Sequence, residues 1–126
     1  MRPGFLYVLG HPSDPKLHKI GVTVRDPKIR IKQHNKNFKT YAGRIVLETG
    51  QEWQVKTIIE VEDVYWAEAV FWNATPYADI PFLRGIEIAE FEWKYIEKAL
   101  RAAQQAGVRP SSAKRKVAAS ALEEKT

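Results

Sequence analysis

Two apolar runs near the N-terminus leave this chain little choice of fold. Phe5-Leu6-Tyr7-Val8-Leu9 is short, aromatic and branched, the composition of a buried strand. Gly10-His11-Pro12-Ser13-Asp14-Pro15 interrupts it, because two prolines and a glycine punctuate the backbone. From Leu17 to Val24 the pattern resumes with period two. Leu17, Lys19, Gly21 and Thr23 fall on one face, and His18, Ile20, Val22 and Val24 on the other. The two runs predict an antiparallel hairpin closed by a loop of middling length. A hairpin alone is not stable in water, so the remaining chain must cover its faces.

The segments that follow supply that cover. Asp26 is placed to cap a helix, with Pro27 in its first turn where the missing N–H costs nothing. This helix runs to about Asn35, is short and polar, and carries Lys28, Arg30, Lys32 and His34. Residues 37–50 are mixed in character and read as loop with at most a short turn. Trp53 to Val61 is rich in β-branched residues and reads as a strand. Asp63 caps a second helix reaching about Thr75, where Pro76 stops it. Val64, Ala67 and Phe71 share one face of it, and Tyr65, Trp66 and Trp72 leave so little polar surface that it must be largely buried. Glu68 is its one charged side chain. After a loop with Pro81 and Gly85 comes a short strand, Ile86 to Phe91. A third helix follows from Glu92 to about Ala106, with Trp93, Ile96 and Leu100 as its core stripe, Gly107 just past its end, and an exposed Glu97–Arg101 pair. The expected architecture is α+β: a small antiparallel sheet of about three strands flanked by helices. Residues 1–107 form the domain, and 108–126, with Lys114-Arg115-Lys116, a basic flexible tail.

Composition narrows the chemistry. At 126 residues, 44% hydrophobic and 28% charged, the chain suits one ordinary core. No apolar run approaches the roughly 20 residues that span a bilayer, and the N-terminus lacks the pattern of a signal peptide, so an intracellular protein without membrane contact is expected. Cysteine is absent, which removes disulfides, zinc thiolates and thiol nucleophiles; His11, His18 and His34 lack the spacing of a zinc protease. A bound metal would therefore be a hard cation on oxygen ligands. Twenty Lys and Arg against fifteen Asp and Glu favour a polyanionic partner.

The order strand, strand with Lys19-Ile20-Gly21, polar helix with arginine, strand, buried helix with glutamate resembles the GIY-YIG nuclease superfamily over about residues 4 to 100. The likeness is to the phage and bacterial branch, whose second signature reads Lys-Ile-Gly. Tyr7 in Gly4-Phe5-Leu6-Tyr7-Val8-Leu9 falls at the tyrosine of the first signature, and Thr23 follows the second as it commonly does in this branch. Arg30 falls at the family's arginine on the first helix. Four residues on, His34 takes a position that holds a tyrosine in several relatives. Glu68 falls at the metal-binding glutamate, and Glu90-Phe91 at the Glu-aromatic pair that closes the domain. Two positions depart from the pattern: Lys19 stands for the tyrosine of the second signature, and Trp72 for a histidine frequent four residues after the glutamate.

The resemblance implies a metal-dependent endonuclease acting on DNA, with RNA not excluded, using Mg2+ or Mn2+ at Glu68. Its catalytic set would be Tyr7, Lys19, Arg30, His34 and Glu68, with Thr23, Arg25, Lys32 and Trp72 as candidate substrate contacts. The residue chemistry agrees. Arg30 offers a planar, permanently charged fork for a phosphate and shares a helix face with His34 at i, i+4. Either Tyr7, assisted by Lys19, or His34 is placed to be the general base. Trp72 either stacks on a base or packs. A catalytically weak DNA-binding module, and an interaction domain presenting Trp53, Trp66, Trp72 and Trp93, are the alternatives. Cleavage of both strands of a duplex would need a dimer or two successive nicks.

Overall fold

Gly4–His11 forms β1 and Asp14–Thr23 forms β2, antiparallel and in register Tyr7↔Gly21 and Val8↔Ile20. The computed structural model describes residues 2–75, 88–90 and 92–106. The hairpin loop is tighter than its sequence suggested. His11 pairs with Asp14, so only Pro12 and Ser13 make the turn, and the register breaks between Gly10 and His11. Histidine and serine side chains account for this. His11 Nδ1 lies 2.7 Å from Ser13 Oγ and accepts from Ser13 N at 3.2 Å, while its Nε2 donates to the Gln51 carbonyl at 2.9 Å. The two prolines are tolerated because Pro12 sits in the turn and Pro15 lacks a ladder partner in either pairing of β2.

Pro27–Lys36 is α1, capped as expected by Asp26, whose carboxylate accepts from Lys28 N at 2.9 Å. Residues 41–49 correct the sequence reading: Tyr41–Thr49 is a helix, α2, not a loop. Its Gly43 and β-branched residues weaken its propensity. Its ends are nevertheless well made. Thr40 Oγ1 accepts from Gly43 N at 3.0 Å, and Gly50 closes the C-terminus at φ 70. Gln54–Val61 is β3, as expected. Val64–Asn73 is α3, capped by Asp63, which accepts from Tyr65 N and Trp66 N. Ile88–Glu90 is β4, and Trp93–Ala106 is α4, where Glu97 and Arg101 pair at 3.6 Å on the exposed side. The expected boundaries at Pro76, Pro81, Gly85, Ile86, Phe91 and Gly107, and the tail 108–126, lie outside the described residues.

The four strands form one antiparallel sheet in the order β3-β1-β2-β4. Period-two alternation in β1 and β2 divides its surroundings. Leu6, Val8 and Ile20 face one core, completed by Ala67, Phe71 and Trp72 of α3, Ala89 of β4, and Ile96, Ala99, Leu100 and Ala103 of α4. Tyr7, Leu9, Leu17 and Ile88 face the other, smaller core with Ala42, Val46 and Trp53. In β3 an extra residue, Lys56, interrupts the pairing between Thr57 and Val55. Its ammonium lies 5.2 Å from the Trp93 ring centroid. No described helix is long and apolar enough to cross a membrane.

Candidate active site

The α1/α2 face of the sheet carries the site. Tyr7 points from β1 onto this face and is 1% exposed. Its cross-strand partner is Gly21. A Cβ there would run into the Tyr7 hydroxyl and ring, so glycine at 21 is what lets the phenol lie across β2. Beyond it stands His34, 7% exposed, carried inward by the last turn of α1. Tyr7 Oη and His34 Nε2 are 2.6 Å apart in a buried hydrogen bond, with ring centroids at 5.8 Å. Tyr7 and His34, offered by the sequence as rival bases, thus form one proton-sharing pair.

Asn35 fixes α1 for this purpose. Its side chain spans to the backbone of Trp53, accepting from Trp53 N at 2.8 Å and donating to Trp53 O at 3.5 Å. Trp53 in turn donates from Nε1 to the Ala42 carbonyl at 3.0 Å. One tryptophan therefore joins α1, α2 and the start of β3. Asn35 was not legible before the fold, because its acceptor and donor are backbone groups eighteen residues away. The same holds for His11, which is 5% exposed and meets Trp53 edge-on at 5.0 Å.

The other site residues fall at graded depths. Lys19 lies on the same face as Gly21, paired with Leu9 on one side and Ile88 on the other, and is 6% exposed. Thr23 flanks Gly21 on the opposite side, half-buried, with its hydroxyl accepting from Arg25 N at 3.1 Å. Arg25, Arg30 and Lys32 are exposed. Arg30 sits one turn before His34, yet its Nη1 donates outward to Gln33 Oε1 at 2.7 Å. Glu68 is half-buried on α3 with its Oε2 atom buried. That helix packs against β1 and β2 from the side opposite Tyr7 and His34. Trp72 is 1% exposed, set edge-on to Phe71 at 5.5 Å inside the larger core. Packing is its role here, and no ring face is left for a nucleobase. Trp53 is equally enclosed, so the four tryptophans do not form one partner surface.

Among the described residues no group of three or more His, Asp or Glu side chains could cage a metal. A single buried carboxylate oxygen is a hard donor of the type Mg2+ or Mn2+ accepts while keeping water and substrate phosphate as its other ligands. Glu68 offers a donor of that kind.

A sequence profile described as the T5orf172 domain matches residues 4–104, from the first strand to the last helix. No curated protein and no solved structure matches the chain.

Proposed function

We propose a function from one premise: the chain belongs to the T5orf172 domain family, a phage-associated family of nuclease-like, DNA-binding domains. Our reading is that this member hydrolyses DNA phosphodiester bonds in the manner of GIY-YIG endonucleases. The observation that carries it is the 2.6 Å bond between Tyr7 Oη and His34 Nε2 over Gly21. A buried phenol on an imidazole has a ready route for a proton. Tyr7 is 1% exposed in the free protein, so substrate binding must first open its hydroxyl to water. As that water attacks phosphorus, its proton passes to Tyr7 while the Tyr7 proton moves to His34 Nε2; the P–O ester bond breaks and the leaving oxygen gains a proton from solvent. Lys19, on the same face, adds positive charge that favours the phenolate during the transfer. Arg30 turns from Gln33 to the phosphate, where its fork matches two oxygens.

Glu68 is the residue that would hold Mg2+ or Mn2+, a cation that would supply charge stabilisation for a phosphate and its leaving oxygen. Because α3 lies across the sheet from Tyr7 and His34, the comparison of Glu68→Ala with Tyr7→Phe below tests whether the two act on one phosphate. Thr23, Arg25 and Lys32 contact the backbone on either side.

The test is nicking of supercoiled plasmid in Mg2+. Wild type should convert it to open circle, Glu68→Ala and Arg30→Ala should not, and Tyr7→Phe should be slowed by about 10²- to 10⁴-fold, the range for a proton-transfer group. Nicking that survives both alanine substitutions would be a contaminant's and would sink the hydrolytic reading. Salt-sensitive binding with no nicking in wild type would leave a DNA-binding module.

A further inference from the structure

The net charge of this chain is concentrated in one place. Seven of its twenty Lys and Arg lie between residues 25 and 44, against one of its fifteen acids; this segment carries +6 and the rest of the chain −1. All seven (Arg25, Lys28, Arg30, Lys32, Lys36, Lys39 and Arg44) are exposed. The one acid, Asp26, is occupied as the cap of α1. Two aromatic rings stand among these cations with their surfaces open: Phe38 at 45% exposure between Lys36 and Lys39, and Tyr41 at 57% between Lys39 and Arg44. Phe38 also lines a groove of about 520 Å³ with Lys36, Val46 and Leu47.

The loop that presents Phe38 is held in place. Asn37 Oδ1 accepts from Lys39 N at 3.2 Å, and the Asn37 carbonyl accepts from Thr40 N at 3.1 Å and Thr40 Oγ1 at 2.8 Å. Gly43 lets α2 close onto this loop, since a Cβ there would strike the Asn37 carbonyl. Phe38 on this loop and Tyr41 at the start of α2 leave ring faces open among the lysines, an arrangement that suits a flat, anionic partner. Paired bases in a duplex hide their faces from such rings, and a phosphate backbone alone has no use for them.

We infer that the α1–α2 surface binds single-stranded DNA, with Phe38 and Tyr41 stacking on unpaired bases while Lys36, Lys39 and Arg44 follow the phosphates. The inference rests on the nucleic-acid reading above and specifies the substrate: DNA with an unpaired stretch, such as a flap, gap or branch, beside the cut. Arg30 links the two regions, lying on the same helix as Lys36 and one turn from His34.

Binding is measured on the full chain in metal-free buffer, by anisotropy of a labelled oligothymidine of about 12 nucleotides, the scale of a small single-strand site. A blunt-ended duplex annealed from two separate strands serves as the comparison. Phe38→Ala and Tyr41→Ala should each weaken single-strand binding by about ten-fold and duplex binding far less. Phe38→Trp should retain affinity, which separates stacking from misfolding. Lys39→Ala should weaken both probes and flatten the slope of log K against log salt by about 0.7 for the single strand. If the double alanine variant binds the single strand within about two-fold of wild type, or loses both probes equally while Phe38→Trp also fails, the inference is wrong. Plasmid nicking, scored separately, decides the hydrolytic reading. Aromatic-dependent binding without nicking keeps this surface and discards that chemistry; nicking without aromatic-dependent binding does the reverse.

Discussion

Substituting Tyr7 by phenylalanine takes one oxygen from a buried pair and leaves the ring where it is. His34 Nε2 then lacks the partner now at 2.6 Å, so a stability loss of about 1–3 kcal/mol is expected by urea denaturation, beside the loss of nicking. Gly21→Ala should reach a similar result by another route: its Cβ collides with the phenol and forces the ring off His34, with overpacking worth about 1–3 kcal/mol. An alanine variant of wild-type stability would show that the ring has room to move. His18 gives a pH effect of definite sign. It is 1% exposed, and burial holds its pKa below the ordinary 6.5, with Lys56 adding to that, against the Lys16 carbonyl bond and Asp14. The unfolded chain therefore binds the proton more readily. Its contribution is full above 6.5 and is lost as pH falls from there through the depressed folded value. The urea midpoint should drop on acidification across that window, and His18→Gln should flatten the drop. Period two was enough to assign Lys19 and Gly21 to one face of β2, but that Tyr7 lies over Gly21 depends on the strand register, and that His34 meets Tyr7 depends on how α1 packs. The outward turn of Arg30 to Gln33 was not legible, because an exposed guanidinium has several partners within reach and sequence does not rank them. Nor was the enclosure of Trp72 settled, since a tryptophan on an all-apolar helix packs or stacks according to what covers it.

Among the elements, the caps Asp26 and Asp63 were readable because an acid before a helical run satisfies free amides by a local rule. Helix α2 was not, since its apolar contacts Ala42 and Val46 find their counterpart in Trp53, beyond the helix. Its stability is correspondingly sensitive to its ends. Gly50→Ala, at φ 70, should cost about 1 kcal/mol, and Gly50→Asn less, by thermal or urea unfolding. Asn35 joins α1 to β3 through two hydrogen bonds. Asn35→Ala should destabilise by about 1–3 kcal/mol and, by freeing the end of α1 that carries His34, lower the nicking rate more than the affinity for DNA. Equal losses in rate and affinity would deny it that positioning role. The hairpin was readable as a hairpin but not in its length, because the shortening depends on His11 reaching Gln51, forty residues on.

For the whole molecule, one sheet separates two tasks. The α3/α4 side holds the larger apolar core, and the α1/α2 side holds the buried Tyr7–His34 pair with the positive charge outside it. Architecture was legible at this scale, down to antiparallel pairing, although a fourth strand of three residues is too short for composition alone to delimit with assurance. Binding to any DNA should weaken steeply with salt, and neutralising three of the lysines on α1 and its following loop should lower the slope of log K against log salt by about 2–3. Changing three lysines elsewhere with the same result would show that net charge, not its placement, matters.

The alternation along β1 has a consequence for how such a gene can change. Leu6 and Val8 face the larger core while Tyr7 between them faces His34 and the candidate site, so the strand encodes both on opposite parities. Loss or gain of a single codon inside it would exchange the two sets, seating the phenol among leucines and a leucine opposite His34. Fold and chemistry would fail together. The turn at Pro12-Ser13 lies beyond the ladder and can lengthen without altering that parity. Indels are therefore expected to collect at the hairpin tip, with the codons for residues 5–9 and 19–23 keeping a fixed count.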